Sequence, residues 1–140
     1  MDVPAVLDAL NAALALQRRS VEELVTASGA IFGIESQAVA GELWGFAQAE
    51  LADTRKLIEK IAALGGDPTP DVAAVAWSAD PPALLETLAD HEAEAVAALH
   101  AVIPHSGQEP ESEALEHLME HLIMRKQRQV DWLRRALRKP

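Results

Sequence analysis

Four apolar stripes run through this chain, each advancing by about 100° per residue, and the breakers between them are spaced short, long, short. The first segment spans about Asp2 to Phe32. Its stripe is Val6, Leu10, Leu14, Gln17, Val21, Leu24, Ser28 and Ile31, with Asp2 placed to cap it and Pro4 in its first turn. Gly33-Ile34-Glu35 leads at once into a second segment, about Ser36 to Leu64, with Val39, Leu43, Phe46, Glu50, Asp53/Thr54, Leu57, Ile61 and Leu64 on one face. A connection that short sets the two helices antiparallel. Gly65-Gly66 then stops the helix.

Residues 65–80, GGDPTPDVAAVAWSAD, show no regular pattern beyond a possible helical turn at Val72–Val75. Asp80-Pro81-Pro82 opens the third segment, which runs to about Ile103 along Leu84/Leu85, Leu88, Glu92, Ala95, Leu99 and Val102. Pro104 through Pro110 is a polar turn. The fourth segment, about Glu111 to Arg138, carries Leu115, Leu118/Met119, Leu122, Lys126, Gln129, Leu133 and Ala136/Leu137. Helices of these lengths span roughly 35–45 Å. Sixteen extended residues reach roughly 50 Å, enough to run the length of a bundle. The pattern therefore predicts one all-α domain over residues 1–140, a four-helix bundle with a long crossover between helices two and three. Trp77 in that connection favours a loop packed on the bundle.

Composition narrows the function. Against 12 basic residues stand 22 acidic ones, a net charge of −10 with histidine neutral. Such a balance argues against nucleic acid and against anionic membrane surfaces. There is no cysteine, so disulfides, thiolate metal ligands and thiol catalysis are excluded. No apolar run reaches the roughly 18 residues of a membrane span, and the first residues carry no basic, apolar leader pattern. The expected location is cytoplasmic.

The informative residues are polar ones inside the stripes. Gln17 sits between Leu14 and Val21. Glu50 sits between Phe46 and Leu57, with Asp53 one turn on. His91 and Glu92 lie between Leu88 and Ala95, and Lys126 and Gln129 between Leu122 and Leu133. A buried carboxylate is costly unless it is paired or binds metal. Polar positions at similar depth on all four helices point to one shared interior site made of Gln17, Glu50, Asp53, Glu92, Lys126 and Gln129.

The stretch Glu50–Pro68, ELADTRKLIEKIAALGGDP, resembles the second helix of bacterioferritins and other ferritin-like proteins. VDWL at Val130–Leu133 and LNAAL at Leu10–Leu14 resemble their fourth and first helices. With the loop pattern, the likeness covers nearly the whole chain and implies the ferritin-like fold. It also implies a carboxylate-bridged two-metal site, with one Glu from each of helices one and three and a Glu-x-x-His pair from each of helices two and four, suited to iron or manganese. This chain departs from that set. Gln17 stands for the first Glu. Glu50 is kept, but Asp53 replaces the His. Glu92 lies on the inner face of helix three, with Glu94 the other candidate. Lys126 and Gln129 fill the last pair.

A lysine in the same layer can replace the metals as a buried ion pair. The leading expectation is a ferritin-like protein whose interior site is metal-free and which serves as a binding or structural module. Two other readings stay open: a single-metal site of Glu50, Asp53, His91 and Glu92, and an intact two-metal site in another register. Either would make the chain an iron- or manganese-dependent oxidoreductase or an iron-handling protein.

Two further signals stand outside that site. His117-Leu118-Met119-Glu120-His121 matches the H-x-x-E-H pattern of inverted zinc peptidases, yet it lies off the Leu115/Leu122 stripe and reads as a solvated face. A surface metal held by His117 and His121, with Glu113, is the alternative. Trp44 lies off the inner stripe near Leu43 and Phe46, and Trp132 lies near the end of the fourth segment. These can cover a partner, as can Leu7, Leu16 and Ile58. The family resemblance implies a homodimer through the first two helices.

Overall fold

The computed structural model describes residues 1–140. Helix α1 spans Val3–Ala30, α2 Gln37–Ala63, α3 Pro81–His100 and α4 Pro110–Leu137. There is no strand. Each start and stop has a local cause. Asp2 accepts from the Ala5 amide at 3.2 Å to cap α1, and Asp80 accepts from Ala83 at 3.2 Å to cap α3, each just ahead of prolines in the first turn. Ile31 turns extended, Gly33 takes a φ of 93°, and a 3-10 turn at Ile34–Ser36 swings the chain into α2. At the far end of α2 the Gly65 and Gly66 amides bond back to Ala62 and Ile61 at 3.0 Å each, with Gly65 at φ 85°. That is the Schellman arrangement. A Cβ on Gly66 would come within 2.6 Å of Leu7, so the glycine also lets α1 approach the turn.

The helices match the sequence expectation to within three residues at each end. The largest difference is α3, which stops at His100 instead of Ile103. Pro104 disfavours α geometry in the residue before it, and Ile103–His105 forms a 3-10 turn, although Val102 remains fully buried.

The first two helices form one hairpin and the last two another, joined chiefly through α1 against α3. The crossover is irregular throughout, and Val72–Val75 forms no helical turn. It lies against α1 through polar tethers. Asn11 donates to the Asp67 carbonyl (3.2 Å) and accepts from the Thr69 amide (2.8 Å). Arg18 donates to the Thr69 carbonyl (3.1 Å). The Ala73 amide bonds the Ala15 carbonyl at 3.1 Å, and the Ala76 amide bonds Glu23 at 2.9 Å. The loop thus packs on the bundle as anticipated, but Trp77 is not its main anchor: that ring stays 47% exposed.

The interior has three layers. Val6, Leu10, Leu14, Leu57, Met119 and Leu122 are among the core of one end; Leu24, Leu43, Leu84, Leu88 and Leu133 are among the core of the other. Between them lies a belt of buried polar side chains. Phe46 and Trp132 meet edge to face at 5.4 Å on the flank of the second apolar cluster, so these two rings cover each other. Trp44, by contrast, is half exposed.

Glu23 joins the crossover to α3 because it holds both the Ala76 amide and His91. Glu23→Ala leaves both without their acceptor and should cost about 1–3 kcal/mol. In hydrogen exchange the Ala76 amide should lose protection while the Ala73 amide, bonded elsewhere, keeps most of its own. Unchanged exchange at Ala76 would show that the loop is held without Glu23.

Candidate functional site: a buried ion cluster between the hairpins

The polar belt sits where all four stripes change from apolar to polar. Lys126 on α4 is 1% exposed, the largest fully buried side chain in the protein. Its ammonium lies 2.8 Å from Glu50 Oε2 on α2 and 2.9 Å from Glu92 Oε2 on α3, with the Ser20 hydroxyl of α1 at 3.3 Å. Three donors of one ammonium therefore address three different helices.

Glu50 is the hub. Its Oε1 accepts from Arg125 Nη2 at 2.7 Å and from Gln129 Nε2 at 2.7 Å. Its Oε2 accepts from Lys126 and from Gln17 Nε2, and the same Gln17 amide also reaches the Glu50 carbonyl at 3.0 Å. Thr54 caps that carbonyl from one turn on, at 2.8 Å. Gln129 donates as well to Glu92 at 3.1 Å and accepts from Arg125 Nη1 at 2.5 Å. Arg125 also grips Asp53 through its Nε.

The structure brings Gln17, Glu50, Asp53, Glu92, Lys126 and Gln129 into one connected network. It does not bring His91 there. That ring faces α1, where Nδ1 sits 2.8 and 2.9 Å from the two oxygens of Glu23. Glu92, not Glu94, points inward: Glu94 is 56% exposed in its side chain and pairs with Arg19 at 2.9 Å.

Two members of the network, Arg125 and Ser20, and two residues of the neighbouring α1–α3 contact, Glu23 and Arg19, were not singled out from the sequence. Arg125 lies about 100° off the Lys126 direction, on the rim of the stripe, and enters the network only because its side chain is long. Ser20 and Glu23 follow Gln17 at three-residue steps, a run that marks one helix face, and Arg19 lines the same interface. That i, i+3, i+6 polar run was the available signal.

The electrostatics follow from burial and pairing. Burial opposes the charge on Glu50, but Lys126 and Arg125 outweigh it and hold this carboxyl below its ordinary value of 4.5. Glu92 has only Lys126 as a cationic partner. Burial, with Glu50 nearby, carries it above 4.5. Lys126 is desolvated too, yet Glu92 and Glu50 raise it above 10.5. Glu92, with a single cationic partner, is the least compensated of these carboxylates, whereas Asp53 is also approached by Lys56 at 3.7 Å. No three His, Asp or Glu side chains anywhere converge at metal-ligand spacing.

Removing one partner of a buried pair strands the other charge. Lys126→Met should destabilise the fold by about 3–5 kcal/mol, and a Lys126→Met/Glu50→Gln double variant should recover much of that loss. Denaturant titration of the cycle checks both; a cost-free Lys126→Met would show the ammonium to be idle. The lowered Glu50 value contributes stability that is present above 4.5 and lost as pH falls through its depressed native value. The raised Lys126 value contributes stability that is present below 10.5 and lost as pH rises through its elevated native value. Glu50→Gln should therefore flatten the acid limb of a stability–pH curve, and Lys126→Met the alkaline limb.

A family model described as a ferritin-like domain matches residues 7–140. No curated protein matches the sequence. Among solved structures, a ferritin-like, diiron-carboxylate protein from Bacillus anthracis str. Ames superposes with a TM-score of 0.90 at 23% identity, covering 99% of each chain. A dodecameric thioferritin, the bacterioferritin-related protein from Bacteroides fragilis, superposes with a TM-score of 0.87 at 18% identity, covering 98% of this chain and 86% of that one. The helix order, the single long crossover and the match along almost the whole sequence agree: the chain belongs to the ferritin-like family.

Proposed function

We propose that this ferritin-like bundle works without a metal pair in its interior, as a binding or structural module whose central site is a permanent ion cluster. The observation that carries this is the position of Lys126. Its ammonium lies between the Glu50 and Glu92 carboxylates, within hydrogen-bond distance of both. Arg125 and Gln129 take the other Glu50 oxygen, and Arg125 also takes Asp53. Two divalent ions need several converging anionic ligands with free lone pairs. Here Gln17 and Gln129 supply amides, and fixed cations already hold the carboxylate oxygens. A metal would have to displace a buried ammonium held between two carboxylates. The donor set therefore does not fit a two-metal centre.

The experiment is to load the protein anaerobically with Fe(II), desalt it and count iron per chain by mass spectrometry. The interior should hold close to none. A value near two that survives changes at exposed histidines and vanishes with Glu50→Ala would overturn the proposal and restore an iron-dependent oxidoreductase or iron-handling protein.

The proposal includes a homodimer through the outer faces of α1 and α2. Val25, Trp44 and Leu51 are 43%, 50% and 61% exposed there, and Val72 of the crossover shares a shallow groove with Val21 and Leu51. An apolar surface of this kind is a candidate for burial against a second copy. Sedimentation should give twice the chain mass, and Trp44→Asp with Leu51→Asp should shift it to the monomer; a wild-type monomer at micromolar concentration would rule the interface out. A cytoplasmic setting is part of the same reading. It is supported by the cysteine-free composition, and no helix is long and apolar enough to cross a membrane.

A further inference from the structure

Opposite the ion cluster, on the outward face of α4, four side chains with metal-binding atoms fall in one stripe. His117, Glu120, His121 and Met124 are spaced i, i+3, i+4 and i+7 and together line one shallow surface depression. The inner stripe of α4 runs through Leu115, Met119, Leu122, Lys126 and Leu133, all buried. At 100° per residue the outer four centre about 180° from it. They are fully on the solvent side: His117, Glu120 and His121 are exposed, and Met124 is 50% exposed. Met124 is the only apolar side chain among the four.

The histidines differ from His91 in one respect that matters. His91 is engaged by Glu23. His117 and His121 are free to turn, since exposed rotamers interchange in nanoseconds or less. Residues four apart on a helix place their Cβ atoms about 5–6 Å apart, so two imidazoles can close on one ion. Once one ring has bound, the second binds intramolecularly, which strengthens the pair over either ring alone. No third carboxylate or histidine converges on them in this conformation. Glu120 lies between the two rings along the helix and Met124 follows one turn beyond His121, so a carboxylate oxygen and a thioether stand next in reach. Glu113 is not part of the depression.

We infer that His117 and His121, extended by Glu120 and Met124, form a surface site for a late first-row divalent cation of the Cu(II) class. Imidazole suits copper, nickel and zinc, affinity peaks at Cu(II), and a thioether is a soft ligand that hard cations ignore. The remaining coordination positions are open to water. Arg128 follows Met124 on the same face, one turn on, but does not line the depression. Binding here is independent of whether the interior cluster takes metal.

The test is titration of the full-length protein with Cu(II), followed by calorimetry and by electron paramagnetic resonance. One equivalent should bind with a spectrum showing two equatorial nitrogens. His117→Ala and His121→Ala should each weaken it at least about tenfold. Glu113→Ala, outside the depression, should leave it unchanged, and because copper is read apart from the interior iron count, a failure here is separable from a failure of the interior proposal. Mg(II) should not compete. Because both histidines are exposed, the variants should keep the wild-type fold, checked by circular dichroism. Two results would overturn the site: affinity unchanged within twofold in both single variants, or loss of the bound equivalent on changing His100 and His105 instead.

Discussion

One buried ammonium organises the middle of this protein. Lys126 could not stay charged in an apolar bundle by itself, because desolvation alone would drive its proton off. It stays charged because carboxylates from two other helices meet it at 2.8 and 2.9 Å. The converse is equally strict, since Glu50 is fully buried and relies on Lys126 and Arg125 for its own charge. The three helices α2, α3 and α4 are thereby fixed in depth relative to one another. A slip of one helical turn would part every pair at once. A buried ion cluster of this kind adds little net stability over a well-packed apolar layer. What it does in this bundle is tie α4 to both α2 and α3 through one ammonium that meets a carboxylate from each.

The apolar layers supply the driving force and the polar belt the alignment. Leu10, Leu14, Leu57 and Met119 on one side and Leu24, Leu43, Leu88 and Leu133 on the other exclude water from the belt. That exclusion is what makes each hydrogen bond within it strong and each missing partner expensive. The crossover belongs to the same system at one remove. Its tethers run to α1 through Asn11, Arg18 and Ala15, and Glu23 links it to α3 through His91. The loop is long because it must travel the bundle, and it is ordered because its amides find acceptors along the way.

Much of the site was legible in the sequence because its positions obey helical periodicity. Gln17, Glu50, Glu92, Lys126 and Gln129 each interrupt an apolar stripe at mid-helix, and a polar residue flanked by leucines at three- and four-residue steps has few places to point but inward. Arg125 escaped that logic. Its Cα lies off the stripe, and only the reach of its side chain brings it to Glu50 and Asp53. His91 misled in the opposite sense. It neighbours Glu92 in sequence, but a one-residue step on a helix is a 100° turn, which carries it to Glu23 instead.

The chain by itself determined the four helices, their caps, the length of each connection and which residue types would share the interior layer. These are local consequences of periodicity, of proline and aspartate at helix starts and of glycine at helix ends. Tertiary structure alone decided which carboxylate meets which cation, that Glu92 and not Glu94 turns inward, and that Glu23 holds His91 and the crossover together. Those outcomes depend on how two hairpins dock. Side chains 33 to 106 residues apart in sequence become neighbours within the belt, and no local rule sets the order in which they pair.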